Sequence, residues 1–385
     1  MIYFDTAATT KVSEEVIADI VDSLRNDWAN PSSPYEDGLA VKIKIERARK
    51  QIADYINAAP EEIIFTSSGS EANNLAIKGF MDANYNFKCV ISDELEHPSI
   101  YNICEFYKEK GFGNVVYCSH ENGIVSIKKF HPVISLMSYT HFCLVSIMMA
   151  NNETGAINPI KKLAMETHRH QGVFHTDATQ AFGKIPIDVK ELDVDLMSVS
   201  LHKIGLPKGI GFLYKKNGIK LEPIIHGGHQ EMDYRAGTEN AAYIIAAGNH
   251  VERLSKKVFP DSKMKDYLLE KIAEVCILLN VIIQINERIG DDYLPNITSI
   301  IFKGINAETL ITLLNMNGVY VSAGAACCSG EKTPSRVLKT IGLSDEDAFS
   351  TVRISIGEDT TKEECDEFVE ILEECLKSLI IMDGE

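Results

Sequence analysis

Four short segments of this sequence combine reactive or charged side chains with small neighbours. In TSSGSEANN, residues 66–74, a strand-like run meets hydroxyls and glycine before a helical pattern. Free backbone N–H groups and hydroxyls at such a turn suit a phosphate, although a plain turn with an N-cap reads equally well. In FHTDATQ, Asp177 ends an apolar run and Gln180 follows three residues later. A carboxylate there is costly without a cationic partner. In DLMSVSLHK, an apolar run ends in Ser200, His202 and Lys203. A lysine whose pKa is lowered by its surroundings forms Schiff bases with carbonyls, whereas most lysines are simply solvated. In VSAGAACCSG, residues 321–330, Cys327 and Cys328 stand side by side among residues too small to fill a core.

Pyridoxal phosphate answers the first three demands together: a phosphate for the hydroxyl cup, a protonated pyridine nitrogen for Asp177 and an aldehyde for Lys203. The elements that must position them alternate. SEEVIADIVDSL carries Val16, Ile17, Ile20, Val21 and Leu24 on one helical face, with Ser13 as its cap. EEIIFTSSGSEANNLAIKGF predicts a strand, a turn and a helix from about Glu71. KCVIS, CLVSIMMA, GVFHTD, DLMSVS and GIGFLY are the continuous apolar runs of buried parallel strands. Beyond about residue 250, NITSIIFKG and STVRISIG alternate, as antiparallel strands with one covered face do. TKEECDEFVEILEECLKSLI opens with a capping box, Thr361 with Glu364. The fold class is α/β.

A chain of 385 residues with 45% hydrophobic and 24% charged side chains supports a substantial core and more than one domain. The net charge of −17 argues against direct nucleic-acid binding or an anionic membrane surface. Nine cysteines without a paired framework, no leader-like opening and no run long enough for a bilayer point to a reducing cytoplasm. No metal-ligand spacing stands out.

The segments YFDTAATT, NPSS, FTSSGSEANNLAIKG, EHPSIYN, NNETGAINPI, HTDATQAFGKIPIDV, LHKIGLPKGIGFLY, RAGTEN, VSAGAACCSG and VRISIG run nearly end to end. In them the chain resembles the cysteine desulfurases of the NifS/IscS type, pyridoxal-phosphate enzymes of the class V aminotransferase group. The resemblance implies the type I fold of pyridoxal-phosphate-dependent transferases. A large, mostly parallel-sheet domain would span 16–250, and a smaller α+β domain would combine 1–15 with 251–385. It implies that Lys203 holds the cofactor, Asp177 pairs with its ring nitrogen, and Gln180 meets its ring hydroxyl. His97 would stack on the ring and move protons. Gly69, Ser70, Ser200 and His202 would hold the phosphate, with Thr238 reaching it from the second subunit of a homodimer. Asn152 would lie near the ring hydroxyl and the substrate, and Arg353 would grip the substrate carboxylate, a task that suits its planar fork. The family's reactive cysteine aligns with Cys327, leaving Cys328 as a bystander or a helper thiol. The activity implied is removal of sulfur from L-cysteine for a sulfur-acceptor protein, such as an iron–sulfur scaffold, or for tRNA thiolation. A selenocysteine lyase, another class V aminotransferase and a non-catalytic sulfur relay are the alternatives. Leu201 and Gly205-Leu206 depart from the family pattern around Lys203, as does Ser68-Gly69-Ser70, where Gly-Ala-Thr is common.

Overall fold

The computed structural model describes residues 1–84, 88–111, 114–139, 141–288, 292–323 and 333–383. Its centre is a seven-stranded sheet. In chain order the strands are β1 (Ile63–Thr66), β2 (Lys88–Ser92), β3 (Asn114–Tyr117), β4 (Phe142–Ser146), β5 (Val173–Asp177), β6 (Leu196–Ser200) and β7 (Gly211–Lys215). They lie side by side as β1-β7-β6-β5-β4-β2-β3. All neighbours are parallel except β7, which runs antiparallel to β1 and β6. The apolar GIGFLY run therefore marks a buried strand, but not a parallel one. Burial on both faces gives the same continuous pattern whichever way the strand runs.

Each strand feeds two cores. Ile63 and Phe65 point to one face with Cys143, Val145, Phe174, Met197, Val199 and Phe212. Ile64 points to the other with Val90, Leu144, Leu196 and Leu213. Side chains that alternate across a sheet covered on both sides must all be apolar, which is why these runs show no alternation.

Helices α1 (Glu14–Asn26), α2 (Glu36–Tyr55), α3 (Gly69–Ala83), α4 (Pro98–Lys110), α5 (Ile127–Ser138), α6 (Ile160–Arg169) and α7 (Ala241–Leu254) accompany this sheet. Ser13 caps α1 as its sequence predicts, accepting from Val16 N. The apolar face of α1 is only partly used. Val16 is buried and Ile20 packs on the core, but Ile17 and Val21 are exposed and Leu24 is 64% exposed. The apolar face read from the sequence is thus covered only in part, and the helix that α1 packs on is α7. Helix α3 starts two residues before the expected Glu71, since Ser68 caps it by accepting from Glu71 N.

A second, four-stranded sheet comprises β8 (Ile283–Ile285), β9 (Ile297–Phe302), β10 (Ser322–Ala323) and β11 (Thr351–Ser355), ordered β8-β9-β11-β10 and antiparallel throughout. Here β9 and β11 are buried at every residue, so the expectation of one covered face is corrected. Their alternation sorts aliphatic residues such as Ile300, Val352 and Ile354 into one apolar cluster, while Ser299, Arg353 and Ser355 lie buried on the other side. Ile2 and Phe4 join that cluster, so the chain start is packed among residues 268–379. The Thr361/Glu364 capping box forms as expected before the last helix, Lys362–Asp383. Among the described residues no helix is long and apolar enough to cross a membrane.

Candidate active site

The parallel strands present their C-terminal ends together. Gly211 pairs with both Thr66 and Ser200, and Asp177 pairs with Ser198, so β1, β5 and β6 end at one level. Carboxyl ends of parallel strands are where open α/β sheets bind ligands.

Asp177 is 6% exposed. Its Oδ1 accepts from Thr179 N at 2.9 Å and its Oδ2 from Asn73 Nδ2 at 2.8 Å. No described cationic side chain forms an ion pair with it. A buried carboxylate of this kind is matched to a ligand cation such as a pyridinium. Two residues earlier, His175 lies within the sheet, with Nδ1 2.9 Å from Ser146 Oγ and Nε2 2.9 Å from Ser198 Oγ.

Burial pushes His175 down to about 4, with Asp177 pulling the other way. The unfolded chain would take up a proton near the ordinary 6.5 that the native ring refuses. The stability tied to a neutral His175 is therefore complete above about 6.5 and lost as pH falls towards 4, a difference of roughly 3 kcal/mol. Urea unfolding of His175→Gln and the parent protein across pH 7 to about 4 checks this. The variant is expected to lose less stability over that window, and parallel curves would overturn the assignment.

At the neighbouring strand end, β6 turns into a short 3-10 segment, Leu201–Lys203, with Leu201 buried in the core. Gly205 then takes φ +93°, a left-handed conformation that glycine adopts without strain. Both departures from the family pattern thus serve a well-formed turn. Lys203 Nζ donates to the carbonyls of Ala7 and Ala8 at 2.5 and 2.6 Å. Burial, and next the nearby Arg353, pull this amine down to about 8, while Asp5 and Asp177 pull it back. An amine of that pKa is partly neutral near neutrality, the form that attacks carbonyls. Burial and Lys203 hold the His202 ring at about 4; its Nδ1 lies 3.0 Å from Thr9 Oγ1.

The N-terminus of α3 faces the same level. A Cβ on Gly69 would lie 3.0 Å from Ser200 Cβ and 3.1 Å from Thr179 Oγ1, so the helix approaches the end of β6 closely here. Ser200 N is itself held by Thr179 Oγ1 at 3.1 Å. Ser70 is exposed beside them. Gln180 Nε2 donates to the Ala7 carbonyl at 3.0 Å, and its Oε1 accepts from buried Lys184 Nζ at 3.0 Å. His97 caps α4, its Nδ1 accepting from Ser99 N at 3.1 Å, which leaves Nε2 as the protonated nitrogen of a neutral ring. The ring is solvent-accessible at the cleft, yet surrounding protein still lowers its pKa, against the pull of Asp177.

Arg353, from the middle of β11, is 6% exposed. Its Nη1 donates to the Asn152 carbonyl at 2.9 Å and its Nη2 to Asp5 Oδ1 at 2.6 Å. Its Nε is buried without a partner, an orphan donor suited to a ligand carboxylate. Thr238 is exposed. It sits between Arg235, paired with Glu71 of α3 at 2.9 Å, and Asn240, the cap of α7. The loop before it is clamped by Glu231, which accepts from Arg49 Nη1 and Nη2 at 2.7 and 2.9 Å and from Phe65 N at 2.7 Å.

Cys327 and Cys328 lie outside the described residues. The chain on either side of them meets the site. Before the segment, Ser322 pairs directly with Arg353. After it, Ser335 Oγ donates to Glu153, next to Asn152, and Arg336 donates to the carbonyl of Glu96, next to His97. Sequence reasoning missed His175, Thr179, Lys184, Asp5 and the Ala7–Ala8 carbonyls. Lys184 had a signal in its four-residue spacing from Gln180; the Asp5 contact is 348 residues distant and had none.

A hydroxyl-rich helix N-terminus, an unpaired buried carboxylate and a low-pKa lysine around one strand-end cup define a site fitted to pyridoxal phosphate. The class V aminotransferase family matches residues 2–368. The cysteine desulfurase IscS of Clostridium botulinum is 38% identical over 386 residues, covering 98% of this chain and 94% of its own. A solved NifS-like protein superposes with TM-score 0.88 at 31% identity, covering 98% of this chain and 100% of that one. A structure of SspA in complex with cysteine gives TM-score 0.79 at 34% identity over 92% of this chain and 99% of that one. The chain belongs to the class V aminotransferase family, among its pyridoxal-phosphate-dependent cysteine desulfurases.

Proposed function

We propose that this chain is an L-cysteine desulfurase that uses pyridoxal phosphate, releases L-alanine and keeps the sulfur as a persulfide on Cys327. The observation that carries this reading is the joint placement of an unpaired Asp177 carboxylate and a Lys203 amine near pKa 8 at one strand-end cup. When bound, the cofactor supplies an electron sink for the pair left when the substrate Cα loses its proton.

The residues divide the work. Gly69, Ser70, Ser200 and His202 bind the phosphate, and Asp177 keeps a proton on the ring nitrogen. Gln180, oriented by Lys184, meets the ring hydroxyl, and His97 stacks on the ring with Nε2–H available to donate. Lys203 anchors the cofactor and carries the Cα proton. Arg353 and Asn152 bind the substrate, its carboxylate taking up the orphan Nε–H of Arg353. The Cys327 thiolate attacks the substrate sulfur: the new S–S bond forms as C–S breaks, and the electron pair left on carbon is protonated to give alanine. Atoms and electrons balance without an external oxidant. Cys328 is a bystander to this step.

Residues 16–250 form the cofactor-binding unit, and 1–15 with 251–385 the unit carrying Cys327; the apolar cluster built from Ile2, Phe4 and residues 268–379 supports this division, although Ala7, Val251, Leu294 and Ile297 pack with the larger unit. The enzyme works as a homodimer in which Thr238 completes the partner's phosphate cup. Exposed Leu24, Trp28, Leu39 and Ile43 supply apolar surface for that pairing. Persulfide sulfur passes to an acceptor protein, such as an iron–sulfur scaffold, whose basic face suits the −17 net charge of this chain. The seven described cysteines are all free, which supports a reducing, cytoplasmic setting.

The test is pyridoxal absorbance followed by L-cysteine turnover, scored as alanine and sulfide. A yellow protein that releases both in equal amounts is expected. A yellow protein that transaminates without releasing sulfide, or one active only on selenocysteine, overturns the reading, as does a colourless protein. In Asp177→Asn the charge is removed at constant volume. Turnover is expected to fall about 100- to 1,000-fold while the phosphate cup still retains cofactor. Unchanged turnover would remove Asp177 from the mechanism.

A further inference from the structure

Helices α5 and α6 bring His131, Glu166 and His170 together at the end of the sheet away from the cofactor cup. Helix α6 leads into the N-terminal end of β5, whereas Asp177 lies at its C-terminal end. Glu166 and His170 are one turn apart on α6 and its C-cap, and so share a face; His131 reaches across from α5. The Glu166 carboxylate is buried, while His131 is largely exposed. Glu166 Oε1 touches His131 Nδ1 and lies 3.4 Å from His170 Nε2, and Oε2 is held by Arg169 Nη1 at 3.1 Å. The three ligand-type atoms all lie within 4.8 Å of one another.

Ser138 lies beside His170 Nδ1, and Nε2 is the ring nitrogen that faces Glu166. Ser138 Oγ lies 3.3 Å from the Ser135 carbonyl, to which it donates, and 3.3 Å from His170 Nδ1. In the tautomer where Ser138 gives its proton to the Ser135 carbonyl and accepts from Nδ1–H, His170 Nε2 presents a lone pair to the Glu166 carboxylate. A lone pair facing a carboxylate oxygen is repelled unless a cation stands between them. Arg169 occupies the other carboxylate oxygen, so Oε1 is the oxygen that faces both imidazole nitrogens. Two imidazoles and one carboxylate are the donor set of a borderline divalent ion, and an outer hydrogen bond to the second imidazole nitrogen is the usual support of such a ligand.

We propose that His131 Nδ1, Glu166 Oε1 and His170 Nε2 form a site for a divalent transition-metal ion of the zinc, cobalt or nickel type. Water completes the shell, and the ion clasps α5 to α6. The site takes no part in cofactor chemistry and does not depend on the desulfurase reading.

Equilibrium dialysis against Zn²⁺ tests it, using holoenzyme that carries Cys327→Ser and Cys328→Ser so that accessible thiols do not capture the metal. A single ion per chain is expected, lost in His131→Ala and His170→Ala. Ser138→Ala, which keeps all three ligands, is expected to weaken binding by about 10-fold. Co²⁺ in the same site should show visible bands without thiolate charge transfer. Because His131 is exposed, His131→Ala made in the protein with both cysteines intact should leave the melting temperature of the metal-free form and the L-cysteine turnover unchanged, which separates ligand loss from misfolding. Zinc bound equally by the parent and both histidine variants overturns the proposal. So does the absence of zinc binding at micromolar free metal, which would leave a proton as the bridging cation.

Discussion

Replacing Lys203 with alanine is expected to reduce L-cysteine turnover by at least about 1,000-fold, because one amine serves as both covalent anchor and proton carrier. The structure holds that amine in readiness. It is fixed by the Ala7 and Ala8 carbonyls rather than by a carboxylate, so its charge is not locked in place, and burial brings it down to about 8. Lys184 is the other buried lysine nearby, brought to about 7 by burial and then by Lys203 and Arg353. It does not substitute, because it is buried and donates to Gln180. The check pairs absorbance with turnover. Lys203→Ala should bind cofactor through the phosphate cup but lose the absorbance of the lysine-linked form, and a small exogenous amine should restore part of the rate. Turnover within tenfold of the parent protein, with no dependence on added amine, would assign the chemistry to another base.

The second large effect belongs to Cys327→Ser. Sulfide release from L-cysteine should fall by at least about 1,000-fold while the pyridoxal absorbance persists, since a hydroxyl is a far weaker nucleophile towards sulfur than a thiolate. The assignment rests on sequence and on how the flanking chain is anchored. Ser322 pairs with Arg353 on one side, and Ser335 and Arg336 hold Glu153 and the Glu96 carbonyl on the other. Both ends of the 324–332 segment therefore start from residues adjoining Arg353, Asn152 and His97. Cys328→Ser is the control, with turnover expected close to that of the parent protein. Trapping the persulfide with an alkylating reagent and mapping it by mass spectrometry gives the direct readout: sulfur on Cys327 supports the mechanism, and sulfur on Cys328 alone transfers the role to its neighbour.

The sequence by itself determined the parts of this protein that are local. Asp177, Ser200 and Lys203 each follow a short apolar run that two-sided burial requires, so their position at strand ends was readable without coordinates. Ser13 and the Thr361/Glu364 pair announced their helix starts, because capping depends on residues three or four apart, whereas the Ser68 cap set α3 two residues earlier than expected. Local pattern did not fix strand direction: β7 reads like its parallel neighbours but runs against them. It also did not say which apolar face finds cover, and α1 leaves Leu24 in solvent within the single chain. Only the tertiary structure brought Arg353 to Asp5, Lys203 to Ala7 and Ala8, His175 between two serines on adjacent strands, and His131 to Glu166. Periodicity records how much of a side chain is buried, because burial is repeated at every turn of a helix or step of a strand. A partner hundreds of residues away is chosen once, by how the layers stack, and leaves no repeating trace in the chain.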